Sequence, residues 1–354
     1  MTKLHPLKAL LSIFLFTLLG TALILLGLEA TARVLVGLGV VDYWRPMKTV
    51  WIQGTEDWRL NHITADDLRE PDPELFWKPV AHSPYNAQRF KGPLMAVPKP
   101  QGVFRILCYG DSNTDGPDQG SWPEVLQEVL NQHRALAGRR YEVVNAGVGG
   151  YSSRQGMLRF QQEGKTYQPD LVIVSFGWND VASAVGHADH EFQPSWPRVH
   201  LMRWLFKSRL YLVLVGNIPV MRASAIDHTL PETARVPMPQ YLANMERFAN
   251  LARQDGGSAV FLTRPHREAT ATLSQVPPWR GKVPSYNAAL RGWAVERRLP
   301  LFDVEALFDH LGAAYFTDEC HFTKSGHRTL AEALASELSR GALLPDDSPQ
   351  PIRR

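Results

Sequence analysis

The longest uninterrupted apolar pattern lies at the N-terminus. Residues 9–28 are twenty positions without a charged side chain, dominated by Leu, Ile, Phe and Ala. At ~1.5 Å per residue such a helix crosses a ~30 Å hydrocarbon core, so the pattern predicts one transmembrane helix. Lys3 and Lys8 precede the run, while Glu29 and Arg33 follow it. That bias predicts a cytoplasmic N-terminus and an exported body, periplasmic or extracytoplasmic. The competing reading is a cleaved signal and a secreted product, because Ala30-Thr31-Ala32 has the small-x-small form. Against it, cleaved signals usually carry an apolar core of only ~7–15 residues. Residues 1–41 are therefore read as an anchor and juxtamembrane helix.

From 42 to 100 periodicity fades and prolines punctuate the chain at 71, 73, 79, 84, 93, 98 and 100. An irregular strap is expected. Its aromatics (Trp44, Trp51, Trp58, Phe76, Trp77, Tyr85 and Phe90) are too many for a free linker and predict packing on the following domain. Over 101–344 short apolar runs alternate with longer amphipathic ones. Runs at 103–109, 141–146, 171–176, 258–263 and 299–304 read as buried strands. Helices are expected at 241–254, 286–297 and 327–338, and another from a capping box, Ser121 with Glu124, running to Gly138. Alternation of this kind predicts a three-layer α/β/α doubly wound domain with a mostly parallel five-stranded sheet. An insertion at 181–239 breaks it, with Trp196, Trp204, Phe206 and Tyr211 among Arg198, Arg203, Lys207 and Arg209. A helix packed on the core, a lid, or a basic amphipathic helix facing a membrane all fit that pattern. Residues 345–354 read as a disordered tail.

Composition narrows the partners. The formal charge is +3 and charged residues make up 21%, with the basic ones dispersed, so nothing calls for a nucleic acid. Cys108 and Cys320 cannot make a disulfide framework and fit no zinc spacing. They read as two free thiols, although pairing in space stays open. No metal and no cofactor is expected.

Four segments end predicted strands or follow the last one, where a sheet of this kind gathers its site. In Tyr109-Gly110-Asp111-Ser112-Asn113-Thr114-Asp115-Gly116 a serine stands between strand and helix. Asn145-Ala146-Gly147-Val148-Gly149-Gly150-Tyr151-Ser152 lets backbone amides approach a ligand closely. As a dinucleotide fingerprint it fails, because the third glycine would fall on Ser152. Gly177-Trp178-Asn179-Asp180 can aim an amide at a developing oxyanion. In Thr317-Asp318-Glu319-Cys320-His321-Phe322 a carboxylate three residues before a histidine can fix its tautomer. Each segment alone reads equally well as an ordinary loop; the order Ser, Gly, Asn, Asp/His raises the joint signal.

Together the four segments resemble the blocks of SGNH (GDSL-type) hydrolases over 103–338, and Asn86-Ala87-Gln88-Arg89-Phe90-Lys91-Gly92 is similar to the lead-in of anchored bacterial members. The resemblance implies Ser112 as nucleophile, His321 as base and Asp318 as its orienter. It implies an oxyanion hole from the amides of Ser112 and Gly150 and the side chain of Asn179, with Gly149 an alternative to Gly150. Asn113 stands where the motif has Leu, which implies a more polar surround. The expected activity is hydrolysis of small-molecule or glycan acyl esters, with the lipid bilayer as partner of the N-terminal helix. An O-acyltransferase using the same residues, or a non-catalytic envelope binding module, are the alternatives. His327 lacks a neighbouring carboxylate, His187 and His190 lack a ligand framework, and Thr114 excludes the G-x-S-x-G elbow.

Overall fold

The structure, a computed structural model, describes residues 4–41, 68–134, 140–214, 232–266, 281–341 and 343–345. Trp44, Trp51 and Trp58 of the expected strap, and the expected tail beyond Pro345, lie outside the described residues. The described residues divide into two compact units, one holding the N-terminal helix and 194–214, the other holding 68–193 and 232–345. Residues 194–214 of the insertion thus group with the N-terminal helix, and 181–193 and 232–239 with the sheet.

In the first unit Leu4–Gly37 is one helix. Its stretch Lys8–Gly37 is long and apolar enough to cross a membrane.

Among its described residues the second unit has nine strands: β1 Arg69–Asp72, β2 Phe76–Pro79, β3 Val103–Gly110, β4 Arg140–Asn145, β5 Leu171–Ser175, β6 Ser183–Val185, β7 Glu232–Ala234, β8 Ser258–Leu262 and β9 Leu301–Phe302. The main sheet has the order β4-β3-β5-β8-β9, and every neighbouring pair in it is parallel. All five expected strands are its members. The chain order reverses between β3 and β5, and sites in such sheets form at that switch.

Side-chain alternation along β3 sorts the two faces. Ile106 and Cys108 join Trp122, Leu126, Leu330 and Leu334 in a buried cluster under the helices Trp122–Arg134 and Lys324–Arg340. Tyr109 turns the other way. There Phe248 lies 5.9 Å from the Tyr109 ring, 5.7 Å from Phe160 and 6.0 Å from Phe176, between the helices Ser153–Tyr167 and Met238–Gln254. Truncating such a ring costs ~3–5 kcal/mol.

Two local expectations change. The strap is not wholly irregular, because β1 and β2 pair antiparallel, with Pro71 and Pro79 tolerated in a two-stranded edge. Glu124 reaches back to the Gly120 N–H at 2.5 Å, while Ser121 Oγ accepts from Asn145, so Ser121 and Glu124 do not bond reciprocally. A reciprocal box forms instead at Ser152 and Gln155, opening the helix Ser153–Tyr167. The insertion is rooted by the antiparallel pair β6 and β7.

Candidate active site

β3 delivers Asp111, whose carboxylate accepts from the Asn113 N–H at 3.0 Å and caps the helical turn Ser112–Asp115. Ser112 therefore opens a turn at the carboxyl rim of the sheet. Behind it Arg264, directly after β8, donates to Asp111 Oδ1 at 3.1 Å and to Ser175 Oγ at 2.5 Å. Both members of this ion pair are buried. Its main value is positional, since buried pairs often do little for net stability.

The loop before the last helix comes to the same place. Ser112 Oγ lies 2.8 Å from His321 Nε2, and His321 Nδ1 lies 2.6 Å from Asp318 Oδ2. Asp318 Oδ1 also accepts from the backbone N–H groups of His321 and Cys320, at 2.7 and 2.8 Å. Partial burial pushes the Asp318 carboxyl up, but the bond to the His321 ring and these two amides outweigh it and hold the group well below the usual carboxylate range. An ionised Asp318 on Nδ1 leaves Nε2 as the nitrogen able to take a proton from Ser112. Among the described residues Asp318, Cys320 and His321 bring three potential metal donors within 4.8 Å, but both His321 nitrogens already face protein partners.

The glycine-rich loop follows β4. Gly147 sits where a Cβ would meet the Asp115 backbone nitrogen at 2.2 Å, so only glycine lets this loop close on the turn Ser112–Asp115. Gly150 has φ 79°, which again favours glycine. The Gly149 N–H is engaged by Asp115 Oδ2 at 3.3 Å; among the described residues the N–H groups of Ser112 and Gly150 have no such acceptor. Asn179, buried after β5, donates through Nδ2 to the Tyr151 carbonyl at 3.1 Å, which sets its amide beside this loop.

Several residues beyond the sequence reading hold that loop in place. Arg235, fully buried just after β7, donates to the Gly150 carbonyl at 2.8 Å, to Gln155 at 2.6 Å and to Asp189 at 3.0 Å. Asp189 in turn accepts from Ser152 Oγ at 2.7 Å. Trp77 Nε1 donates to the Gly149 carbonyl at 3.3 Å, and the Trp77 carbonyl accepts from Tyr151 at 2.8 Å. Asp115 accepts from Tyr85 at 3.0 Å and pairs with Lys91 at 3.0 Å. Burial pushes the Asp115 carboxyl up, with Lys91 opposing. Arg264 carried a faint signal as a cation at the end of an apolar run; Arg235 lies inside the insertion and carried none.

Other histidines are elsewhere engaged. His327 is buried and accepts from the Trp122 N–H at 3.3 Å; burial, then the charge of His321, lowers its pKa to about 4. His187 pairs with Glu191 at 2.9 Å on an exposed surface. The expectation for Asn113 needs correction: its amide is spent inside the protein, donating to the Cys320 carbonyl and accepting from the Phe322 N–H. Cys108 and Cys320 are free and buried.

An arylesterase of Vibrio mimicus is 33% identical over 83 residues, 23% of this chain and 40% of that protein. An uncharacterized lipoprotein of Bacillus subtilis is 33% identical over 84 residues, 23% of this chain and 34% of its own length. The chain thus matches well under half the length of these curated relatives. Among solved structures, the lipase/acylhydrolase from Enterococcus faecalis superposes with a TM-score of 0.44 at 17% identity, over 69% of this chain and 98% of that one. The aryl esterase of M. smegmatis gives 0.42 at 16%, over 68% and 100%. The model of the GDSL-like lipase/acylhydrolase family matches residues 108–329, more than half of the sequence, and the chain belongs to that family.

Proposed function

We propose that the chain is a serine esterase that cleaves carboxylic acyl esters through an acyl-serine. The observation that carries this reading is the relay of 2.8 and 2.6 Å from Ser112 through His321 to Asp318. In the reaction Ser112 Oγ attacks the ester carbonyl carbon while His321 Nε2 takes its proton. The amides of Ser112 and Gly150 and the side chain of Asn179 receive the charge that builds on the carbonyl oxygen. His321 then protonates the leaving alkoxide, and a water deprotonated by the same nitrogen releases the acid. Asp318 holds the ring tautomer and offsets the imidazolium charge throughout.

The domain over 101–344 is read as the catalytic body and 1–41 as its anchor, with the N-terminus cytoplasmic and the body exported. That location favours acyl esters of the envelope, such as O-acetylated glycans, and the arylesterase relative adds aryl esters as usable substrates. The test is hydrolysis of nitrophenyl esters from acetyl to palmitoyl: short esters are turned over, and Ser112→Ala loses several orders of magnitude in kcat. Turnover unchanged in Ser112→Ala would remove the reading.

A further inference from the structure

Residues 194–214 carry four basic side chains, Arg198, Arg203, Lys207 and Arg209, and no Asp or Glu. Within them the helix Trp196–Leu205 buries Val199 yet leaves Trp196 72%, Leu201 56% and Trp204 67% exposed. At 100° per residue Trp196, Pro197, Leu201 and Trp204 lie on one continuous arc, and His200 stacks beside Trp196 with ring centroids 4.0 Å apart. Exposed apolar residues scattered singly need no explanation; an aromatic cluster bordered by cations does.

The same stretch is fastened to the N-terminal helix within one compact unit. Glu29, the first charge after the apolar run, accepts from Ser208 Oγ at 2.7 Å and from the N–H groups of Arg209 and Leu210 at 3.0 Å each. It thereby caps the helical residues 209–214. Arg33, paired with Glu29 at 2.7 Å, donates to the Lys207 carbonyl at 3.1 Å. In a spanning helix a charge at the end of a hydrocarbon-length run sits at the water interface. These bonds hold residues 207–210, directly after the helix Trp196–Leu205, at the level of that charge.

We propose that residues 194–214 are a second membrane contact, lying in the headgroup layer of an anionic bilayer. Trp196, Leu201 and Trp204 enter the acyl boundary, while Arg198 and Lys207 meet lipid phosphates. Aromatic rings with basic neighbours are the residue types this layer favours, and the absence of any acidic residue selects anionic over zwitterionic lipid. The proposal rests on residues 9–28 of the helix Leu4–Gly37 being a retained span.

The test uses the full chain reconstituted into vesicles with brominated acyl chains, of phosphatidylcholine alone or with phosphatidylglycerol. The signal of interest is the fluorescence difference between wild type and Trp196→Phe/Trp204→Phe. Bromolipid is expected to quench this component, roughly two-fold or more strongly when phosphatidylglycerol is present. Arg198→Gln/Lys207→Gln should abolish the gain, since each basic residue near an anionic surface contributes roughly five-fold in affinity. Quenching by aqueous iodide and not by bromolipid overturns the proposal, and so does equal bromolipid quenching in both compositions. Protection from both quenchers would mean a protein occupant, a second copy of the chain included, and overturns it as well. Flotation after carbonate washing scores the span separately. A chain stripped by carbonate loses the span and the surface together; a floated chain with iodide-accessible tryptophans loses the surface alone.

Discussion

The side-chain amide of Asn113 donates to the Cys320 carbonyl at 2.7 Å, and its oxygen accepts from the Phe322 N–H at 3.2 Å. These two bonds bracket His321, so the residue after Ser112 grips the loop that carries the histidine proposed as base. Asn113→Ala deprives both backbone groups of these partners, at a cost of about 1–3 kcal/mol. Loosening the Ser112–His321 distance should also lower kcat, by up to ~10²-fold for a displacement near 1 Å. Urea unfolding and nitrophenyl acetate kinetics on one preparation check both effects; wild-type kcat in a destabilised variant would separate the grip from catalysis.

Arg235 links the insertion to the oxyanion loop through the Gly150 carbonyl. Arg235→Met leaves the buried Asp189 carboxylate without its cation, which costs about 3–5 kcal/mol where a buried pair is broken from one side. Adding Asp189→Asn should recover much of the stability and little of kcat, because the bond to Gly150 stays absent. Chemical denaturation and steady-state kinetics of the single and double variants measure the two separately.

Asp180 is fully buried, and burial raises its pKa from 3.8 to about 7, with hydrogen bonds from Ser153 opposing. The folded state keeps the proton in a range where the unfolded chain has released it. Stability should therefore fall as pH rises between those two values, by about 1.4 kcal/mol per pH unit for this group. Asp180→Asn retains an acceptor for the Ser153 N–H, now 2.9 Å away. The variant's urea midpoint should gain on wild type from pH 5 to pH 8; a constant difference would contradict the shift.

Asn179→Ala removes one of the three donors assigned to the oxyanion. Loss of such a donor typically costs ~10²–10³ in kcat, with KM for a small ester little changed, as initial-rate measurements would reveal.

The parts of this molecule legible in the sequence are those with local causes. Buried parallel strands are continuous apolar runs, so all five were visible, and Ser112, Asp318 and His321 sat in loops whose order along the chain is itself a signal. The helix Ser153–Tyr167 was hidden because Gly156 and Gly164 lower its propensity. Gly156 is demanded by tertiary contact, since a Cβ there would meet the Phe176 ring at 2.1 Å, and Gly164 by its own helix, where a Cβ would meet the ring of Phe160 one turn earlier at 2.2 Å. Arg235 was invisible for a related reason, since its partners Gly150, Gln155 and Asp189 lie 85, 80 and 46 residues away. Asn113 suggests only a more polar surround in the sequence, because its acceptor, Cys320, lies 207 residues downstream.

In the proposed reaction Ser112 forms the covalent bond to the acyl group. Treating the full chain with a fluorophosphonate and mapping the adduct by peptide mass spectrometry reads that bond out. A single modified peptide is expected, with the label on Ser112, lost in Ser112→Ala and formed much more slowly in His321→Ala. Label on another residue, or an unmodified Ser112 in a preparation that still turns over esters, would contradict it.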